Sequence, residues 1–209
     1  MKNYLLLLAI LIMTIWTLSA QEVDENKSHK VKFGIKLGVN LANVTETPAP
    51  TNASTSNLLG FNGGVFSTIK LVRNFAIQPE LLYSQMGSKV SYNDYIGDNK
   101  KLLMTYVNVS MLAKFHPCKP FALLAGPQIG FLNSATSQLA ITNGPSNDFS
   151  RLVKKNDFSA ILGTEFKLSD ILFLSARYQI GMANVSNSTD GGTDKNNCFT
   201  FTIDLLLSY

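Results

Sequence analysis

The segment C-F-T-F-T-I-D-L-L-L-S-Y, residues 198–209, decides the fold, because its large apolar residues fall on every second position. One face holds Phe199, Phe201, Ile203, Leu205, Leu207 and Tyr209. The other face holds Asp204 and the threonines. A period of two is that of a β-strand, whose side chains alternate between two faces. A strand of about ten residues with one fully apolar face and a terminal aromatic is typical of a barrel that crosses a lipid bilayer.

Seven further segments alternate in the same way, which brings the predicted strands to eight. The predicted strands are residues 31–42, 59–69, 75–85, 103–115, 121–132, 158–168, 172–182 and 198–209. Short and long connections alternate along the whole predicted barrel. Tight turns are predicted at 71–74, 116–120 and 169–171, and long loops rich in Ser, Thr, Asn and Gly at 43–57, 86–101, 133–156 and 183–197. We therefore predict an all-β fold, an eight-stranded antiparallel transmembrane up-and-down β-barrel, with short turns in the periplasm and long loops outside.

The aromatic residues of the apolar face agree with this orientation. Phe75, Phe115, Phe121 and Tyr209 lie at the predicted periplasmic ends of strands. Phe61, Tyr83, Phe131, Phe158 and Phe199 lie near the predicted outer ends. Because aromatic side chains gather at both interfaces of a membrane, this distribution predicts two girdles. The core of a soluble sheet does not require aromatics to collect at strand ends.

The polar face is rich in glycine and other small residues, which suits the narrow interior of an eight-stranded barrel. A secreted lipocalin-like barrel, with the apolar face around a ligand cavity, is the alternative architecture. It is less favoured because the apolar side chains are too bulky to fit inside. With the apolar face outward, we expect a lumen network of charged residues that form salt bridges: Lys32, Lys36, Glu80, Lys114, Glu165, Lys167, Arg177 and Asp204. A structural role is favoured for this network over a proton or ion relay.

Residues 1–20 have the pattern of a secretory signal peptide: Lys2, an apolar stretch from Leu5 to Trp16, and then Ser19 and Ala20. A membrane anchor would need about 20 apolar residues, and this stretch is shorter. We expect cleavage before Gln21, a short periplasmic segment over 21–30, and the barrel over 31–209. The expected location is the bacterial outer membrane.

Composition and cysteine spacing exclude several other functions. The formal net charge of +4 comes without a basic tract, so nucleic-acid binding has no support. Cys118 and Cys198 are expected at opposite ends of the barrel, whereas a disulfide needs Cα atoms within about 7 Å. We predict two free thiols, and their spacing matches no metal motif. Asp190–Asp194 lacks the spaced carboxylates of a calcium loop, so no metal or cofactor is expected.

Catalysis at the outer rim would need a histidine or a pair of acids there. The two histidines are His29, before the first strand, and His116, in a predicted periplasmic turn. The predicted outer loops hold aspartates without an arranged partner: Asp94, Asp98, Asp148, Asp190 and Asp194. We therefore expect no enzyme, with a small rim enzyme as the alternative. A wide porin is excluded because side chains fill an eight-stranded interior.

Five segments carry a resemblance to a known family: V-K-F-G-I-K-L-G-V-N-L-A (31–42), G-F-N-G-G-V-F (60–66), I-Q-P-E-L-L-Y-S-Q-M-G (77–87), L-L-A-G-P-Q-I-G-F (123–131) and A-R-Y-Q-I-G-M-A-N-V (176–185). The chain resembles the PorT-like family, outer-membrane β-barrel domain proteins of Bacteroidetes. The resemblance implies insertion into outer-membrane lipid by the barrel assembly machinery, with Tyr209 as part of the assembly signal. It also implies envelope or secretion proteins as partners, because the founding member is linked to protein secretion. We expect a structural, surface-binding or secretion-assembly role.

Overall fold

The computed structural model describes residues 31–47, 53–92, 100–139, 147–186 and 193–207. The predicted signal peptide, the segment 21–30 and Tyr209 lie outside these residues. Nine strands are described: β1 Val31–Thr47, β2 Ala53–Val72, β3 Phe75–Tyr92, β4 Lys100–Cys118, β5 Phe121–Leu139, β6 Asn147–Asp148, β7 Asn156–Lys167, β8 Leu172–Gly181 and β9 Thr193–Leu206. One 3-10 turn covers Ser150–Leu152. In this described part of the chain, no helix has the length and apolar character needed to cross a membrane.

Eight of the strands form a closed antiparallel ring. Each pairs with its neighbours along the chain, β5 pairs with β7, and β1 pairs with β9 to close the ring. The two-residue strand β6 pairs only with β5, outside the ring. The predicted all-β, eight-stranded, up-and-down barrel is confirmed. The tight turns between strands lie at one end, which we call the turn end, and the opposite end is called the loop end.

The register of the strands separates apolar from polar side chains. Where β1 meets β9, Lys36 lies opposite Asp204 and Leu37 lies opposite Ile203. Lys36 and Asp204 are fully buried inside the ring, whereas Leu37 and Ile203 are 53% and 55% exposed on its outer surface. Directly opposite residues share a face, so a slip of one residue would exchange the two sets of side chains. The predicted assignment of the apolar face to the outside is therefore correct.

The strands extend further at the loop end than predicted. The regions 43–57 and 86–101 were expected to be loops, but β1 continues to Thr47 and β3 continues to Tyr92. Ala53 pairs with Tyr92, and Lys100 pairs with Leu139. Backbone hydrogen bonds continue whatever the side chains are, whereas apolar alternation is needed only where one face contacts lipid. The hairpins therefore extend beyond the residues whose apolar alternation predicts strands.

The aromatic residues of the outer surface lie in two rings. At the turn end, Phe75 is paired with Phe115 and Phe121 with Phe166. Nearer the loop end, the rings of Tyr178 and Phe199 lie 4.4 Å apart between centroids. The same region holds Phe61, Tyr83, Phe131 and Phe158 on the outer surface. Between the two aromatic rings the surface is mainly aliphatic, with Phe201 also exposed on it, as suits a lipid-facing band.

The interior is filled and divides into layers. The half toward the turn end holds the charged side chains and many polar ones, together with buried apolar side chains such as Leu112, Leu124 and Ile161. Toward the loop end lies an apolar cluster, which we call the loop-end cluster: Ala42, Val44, Met86, Met104, Tyr106, Ala135, Val153 and Cys198. This cluster was not predicted, because most of its residues fall in segments assigned to loops or near strand ends. Cys198 is buried in it, whereas Cys118 is exposed at the turn end, and both thiols are free.

Candidate functional site

The centre of the lumen is a two-bonded ion pair between Glu80 on β3 and Arg177 on β8. The Arg177 guanidinium donates from Nη1 to Glu80 Oε2 at 2.6 Å and from Nη2 to Oε1 at 2.8 Å. These two strands stand on opposite sides of the eight-stranded ring, so the pair spans the lumen. The planar guanidinium matches a carboxylate in this two-bonded arrangement, which fixes both side chains.

Glycine makes room for the arginine to cross the lumen. Gly163 lies opposite Arg177 in the register of β7 and β8. A Cβ atom on Gly163 would lie 2.7 Å from Arg177 Cγ, closer than van der Waals contact allows. A side chain at this position would therefore push the arginine away from Glu80.

A second ion pair, between the neighbouring strands β1 and β9, contacts the Glu80–Arg177 pair. Lys36 Nζ donates to Asp204 Oδ2 at 2.7 Å and lies 3.3 Å from Glu80 Oε1. Asp204 also accepts hydrogen bonds from the hydroxyl groups of Ser175 and Thr202, at 2.6 and 2.7 Å. Every polar atom of this carboxylate thus has a partner, which is what a buried charge requires.

A third ion pair lies nearer the turn end. Lys114 Nζ on β4 contacts Glu165 Oε1 on β7 at 2.5 Å and donates to Gln78 Oε1 at 3.1 Å. Gln78 in turn donates from Nε2 to Glu80 Oε1 at 2.8 Å. The three pairs therefore form one connected group, which we call the lumen network.

The lumen network is electrically neutral and buried. Its three cations, Lys36, Lys114 and Arg177, match its three carboxylates, Glu80, Glu165 and Asp204, and each is at most 6% exposed. Burying an ion costs several kcal/mol, and only close pairing and further hydrogen bonds offset this cost. Losing one partner would leave an uncompensated charge in a low-dielectric interior.

One of the eight residues expected in the network lies elsewhere. Lys167 does not point into the lumen: its side chain is 44% exposed, and Nζ donates to Asp170 Oδ1 at 2.6 Å. Lys167 is the last residue of β7, at the rim of the barrel, where its side chain can reach the carboxylate of Asp170 in the following turn. This hydrogen bond, and then the charge of Lys167, lower the pKa of Asp170. Lys32, the second residue of β1, is half-buried at the same rim.

A layer of uncharged polar side chains separates the lumen network from the loop-end cluster. Asn40 Nδ2 donates to Ser84 Oγ at 2.8 Å, and Thr200 Oγ1 donates to Asn40 Oδ1 at 2.8 Å. Gln128 Nε2 donates to Gln179 Oε1 at 2.9 Å. These residues were not identified from the sequence as a layer, although all share the inward parity. A cavity of about 20 Å³ beside them is large enough for water but not for a solute.

Within the part of the chain that the structure describes, His116 and the loop aspartates do not form a reactive group. His116 lies at the turn end, and His29 is outside the described residues. Asp148 Oδ1 accepts a hydrogen bond from the Ser150 amide at 2.8 Å, which is a local turn contact. Among the residues that the structure describes, no group of three or more His, Cys, Asp and Glu is placed to hold a metal ion.

Comparison with known families identifies the barrel. A family model described as "Outer membrane protein beta-barrel domain" matches residues 19–187. The chain belongs to this family. As an outer-membrane β-barrel protein, it lies in the lipid bilayer of the bacterial outer membrane. In such barrels the short turns face the periplasm, so the loop end faces outward. The lipocalin-like alternative is wrong, because the apolar face of this barrel is its outer surface.

Solved structures with the same architecture have little sequence in common with this chain. Neisserial surface protein A is 10% identical, with a TM-score of 0.54, over 84% of this chain and 98% of that one. Ail of Yersinia pestis, solved in complex with the heparin analogue sucrose octasulfate, is 15% identical, with a TM-score of 0.48 and coverages of 85% and 99%. OprG of Pseudomonas aeruginosa is 8% identical, with a TM-score of 0.41 and coverages of 86% and 95%. A comparison with curated proteins finds no match.

Proposed function

We propose that this protein is a non-enzymatic surface-binding module, in which the barrel is the anchor and the outer hairpins contact the partner. The observation that carries this proposal is the contrast between a filled lumen and strands that continue far beyond the outer aromatic ring. From Tyr83 in the outer aromatic ring, β3 runs on to Tyr92. That extension is about 30 Å along the strand and, at a tilt of about 40°, about 20 Å in height.

The charge of these hairpins favours an anionic partner. Lys89 on β3 lies directly opposite Lys101 on β4, on the outward face. Like charges directly opposite each other destabilise a sheet, and an anion between them would remove this repulsion. Further basic residues of the loop end are Lys100, Arg151, Lys154, Lys155 and Lys195. The acids of that region whose side chains the structure describes are Asp148 and Asp194, apart from one buried carboxylate, and the predicted outer loops also contain Asp94, Asp98 and Asp190. We therefore propose a phosphorylated or sulfated polysaccharide as the partner class.

Binding to an immobilised sulfated dextran tests this proposal. The purified barrel in nanodiscs is compared with the Lys89→Gln and Lys101→Gln double variant. We expect the variant to bind at least tenfold more weakly at low salt, because two opposed cations are lost, and we expect added salt to weaken binding of the parent. Lys167→Gln, which changes an exposed lysine at the turn end, is the matched control. Equal binding by the parent and the double variant would refute an anionic partner at this hairpin.

The lumen network has a structural role in this proposal. The pairing of each of its cations with a carboxylate supports sealing and register over a proton or ion relay. The rim-enzyme alternative has weaker support, because neither histidine of the sequence lies in a predicted outer loop.

The resemblance to the PorT-like family supports a narrower role in protein secretion, with export by the predicted signal peptide and insertion by the barrel assembly machinery. In this role the outer hairpins or the periplasmic turns would contact other secretion proteins. Comparing the secreted proteome of a deletion strain with its parent tests the role directly. Selective loss of exported cargo is expected. An unchanged secretome, with polysaccharide binding intact, would leave surface binding as the function.

A further inference from the structure

One buried carboxylate of the barrel has no place in the neutral lumen network. Asp157, the second residue of β7, is 2% exposed and lies toward the loop end. None of the ion pairs found between described residues includes it. The charges of the lumen network already cancel, so Asp157 adds one uncompensated negative charge to the described interior.

The surroundings of Asp157 come from two other strands. Asn196 on β9 donates from Nδ2 to Asp157 Oδ2 at 2.9 Å and to the Tyr106 hydroxyl at 3.2 Å. Tyr106 on β4 donates its own proton to Met104 Sδ at 3.6 Å. Asn196 is 1% exposed and Tyr106 is fully buried. The three side chains thus form a fixed polar group against the loop-end cluster.

The unsatisfied atoms of this group are all of one kind. Asp157 Oδ1 and Asn196 Oδ1 are buried and have no hydrogen-bond donor. Leaving a buried acceptor without a donor costs about 1–3 kcal/mol, and an isolated buried carboxylate costs considerably more. Both atoms are oxygens, so the missing partner is a positive charge or a donor. The neighbouring apolar side chains lower the local dielectric constant. The attraction between a positive charge and the Asp157 carboxylate would therefore be stronger here than in water.

We propose that Asp157 and Asn196 bind a monovalent metal cation, with sodium as the probe, at the loop end of the lumen. Carboxylate and amide oxygens are hard ligands that suit cations of this kind. A single positive charge neutralises the interior, whereas a divalent ion would leave it charged again. Because the ligands belong to β7 and β9, a bound cation would link two strands that are separated in the ring by β8.

Thermal unfolding of the purified barrel in a non-ionic detergent tests the site. Sodium chloride is replaced by N-methylglucamine chloride at constant ionic strength, so that only the identity of the cation changes. We expect the melting temperature of the parent to rise with sodium and to saturate. Asp157→Asn should remove this dependence and should melt higher than the parent in N-methylglucamine, because the unpaired charge is gone. Asp170→Asn, at the periplasmic turn, should keep the sodium dependence.

A second variant tests ligand charge. Asn196→Asp adds a carboxylate beside Asp157, and we expect it to be stabilised by calcium more than by sodium. The parent alone can overturn the proposal, whatever the variants do. A melting temperature that does not respond to sodium would refute the site. If that temperature instead rises only as the pH falls, a proton neutralises Asp157, with Tyr106 as the other titratable group against it, and the proposal also fails.

Discussion

At the scale of single residues, the barrel depends on the contacts that the Glu80 carboxylate makes with side chains of several strands. It accepts two hydrogen bonds from Arg177, one from Gln78 and one from Ser110, and it lies close to Lys36. A buried carboxylate with this many partners holds several strands in one register. The strength of the arrangement lies in its completeness, because each partner that is lost exposes the charges of the others.

Replacing Arg177 by methionine should destabilise the folded barrel by about 3–5 kcal/mol, because the buried Glu80 then lacks its main cation. Urea unfolding in lipid vesicles measures the change. The double variant Glu80→Gln and Arg177→Met should recover much of the loss. Lys167→Met, which breaks the exposed pair with Asp170, should change stability by about 1 kcal/mol or less. Equal effects of the buried and exposed substitutions would contradict the importance of the lumen network.

Sequence alone identifies the members of the network better than their partners. The alternation of polar and apolar residues along each strand predicts six charged residues on the polar face, and all six are buried in the structure: Lys36, Glu80, Lys114, Glu165, Arg177 and Asp204. It does not show that Glu80 meets Arg177, because their contact depends on how a closed ring brings opposite strands together. Lys167 shares the parity but lies at a strand end, where a long side chain can turn away from the lumen.

At the scale of strands, the same face of one strand meets two environments. The outward residues of β1 change from Leu37, Val39 and Leu41 to Thr45. Alternation ends where lipid ends, although pairing with β9 continues to Thr47. This is why strand number and faces were predictable while strand length was not. Met86, Met104 and Tyr106 were missed as interior residues for a related reason: their polar and apolar neighbours no longer alternate cleanly there.

Placing arginine at the two levels of β1 tests where the membrane ends. Leu37→Arg should cost about 2–4 kcal/mol, because its charge would face hydrocarbon near the middle of the bilayer. Thr45→Arg, on the same face of the same strand, should cost only about 1 kcal/mol, because the solvated arginine loses the hydrogen bond from Asn197 and lies opposite Lys195. Reversible urea unfolding in vesicles of one lipid composition measures both. A large cost at Thr45 would place the extended hairpins inside the membrane instead of above it.

At the scale of the whole molecule, two interior layers close the lumen in series. The lumen network fills the half toward the periplasm, and the loop-end cluster fills the half toward the outside. Both layers exclude ions because side chains fill the lumen: paired charged side chains occupy one layer, and the packed residues of the loop-end cluster occupy the other. Both would therefore have to be removed before ions could cross.

Single-channel recording in planar bilayers measures this closure. The parent should show no stepwise current. Glu80→Ala with Arg177→Ala should also stay closed, because Met86 and Met104 still block the loop end, and Met86→Ala with Met104→Ala should stay closed because the charged layer remains. The fourfold combination should conduct, whereas adding Met111→Ala on the lipid face to either pair should change nothing. Unboiled samples of each variant must still migrate differently from boiled ones on a denaturing gel, as folded barrels do. Steady current through the parent or through either double variant would show that the two layers do not act as independent seals.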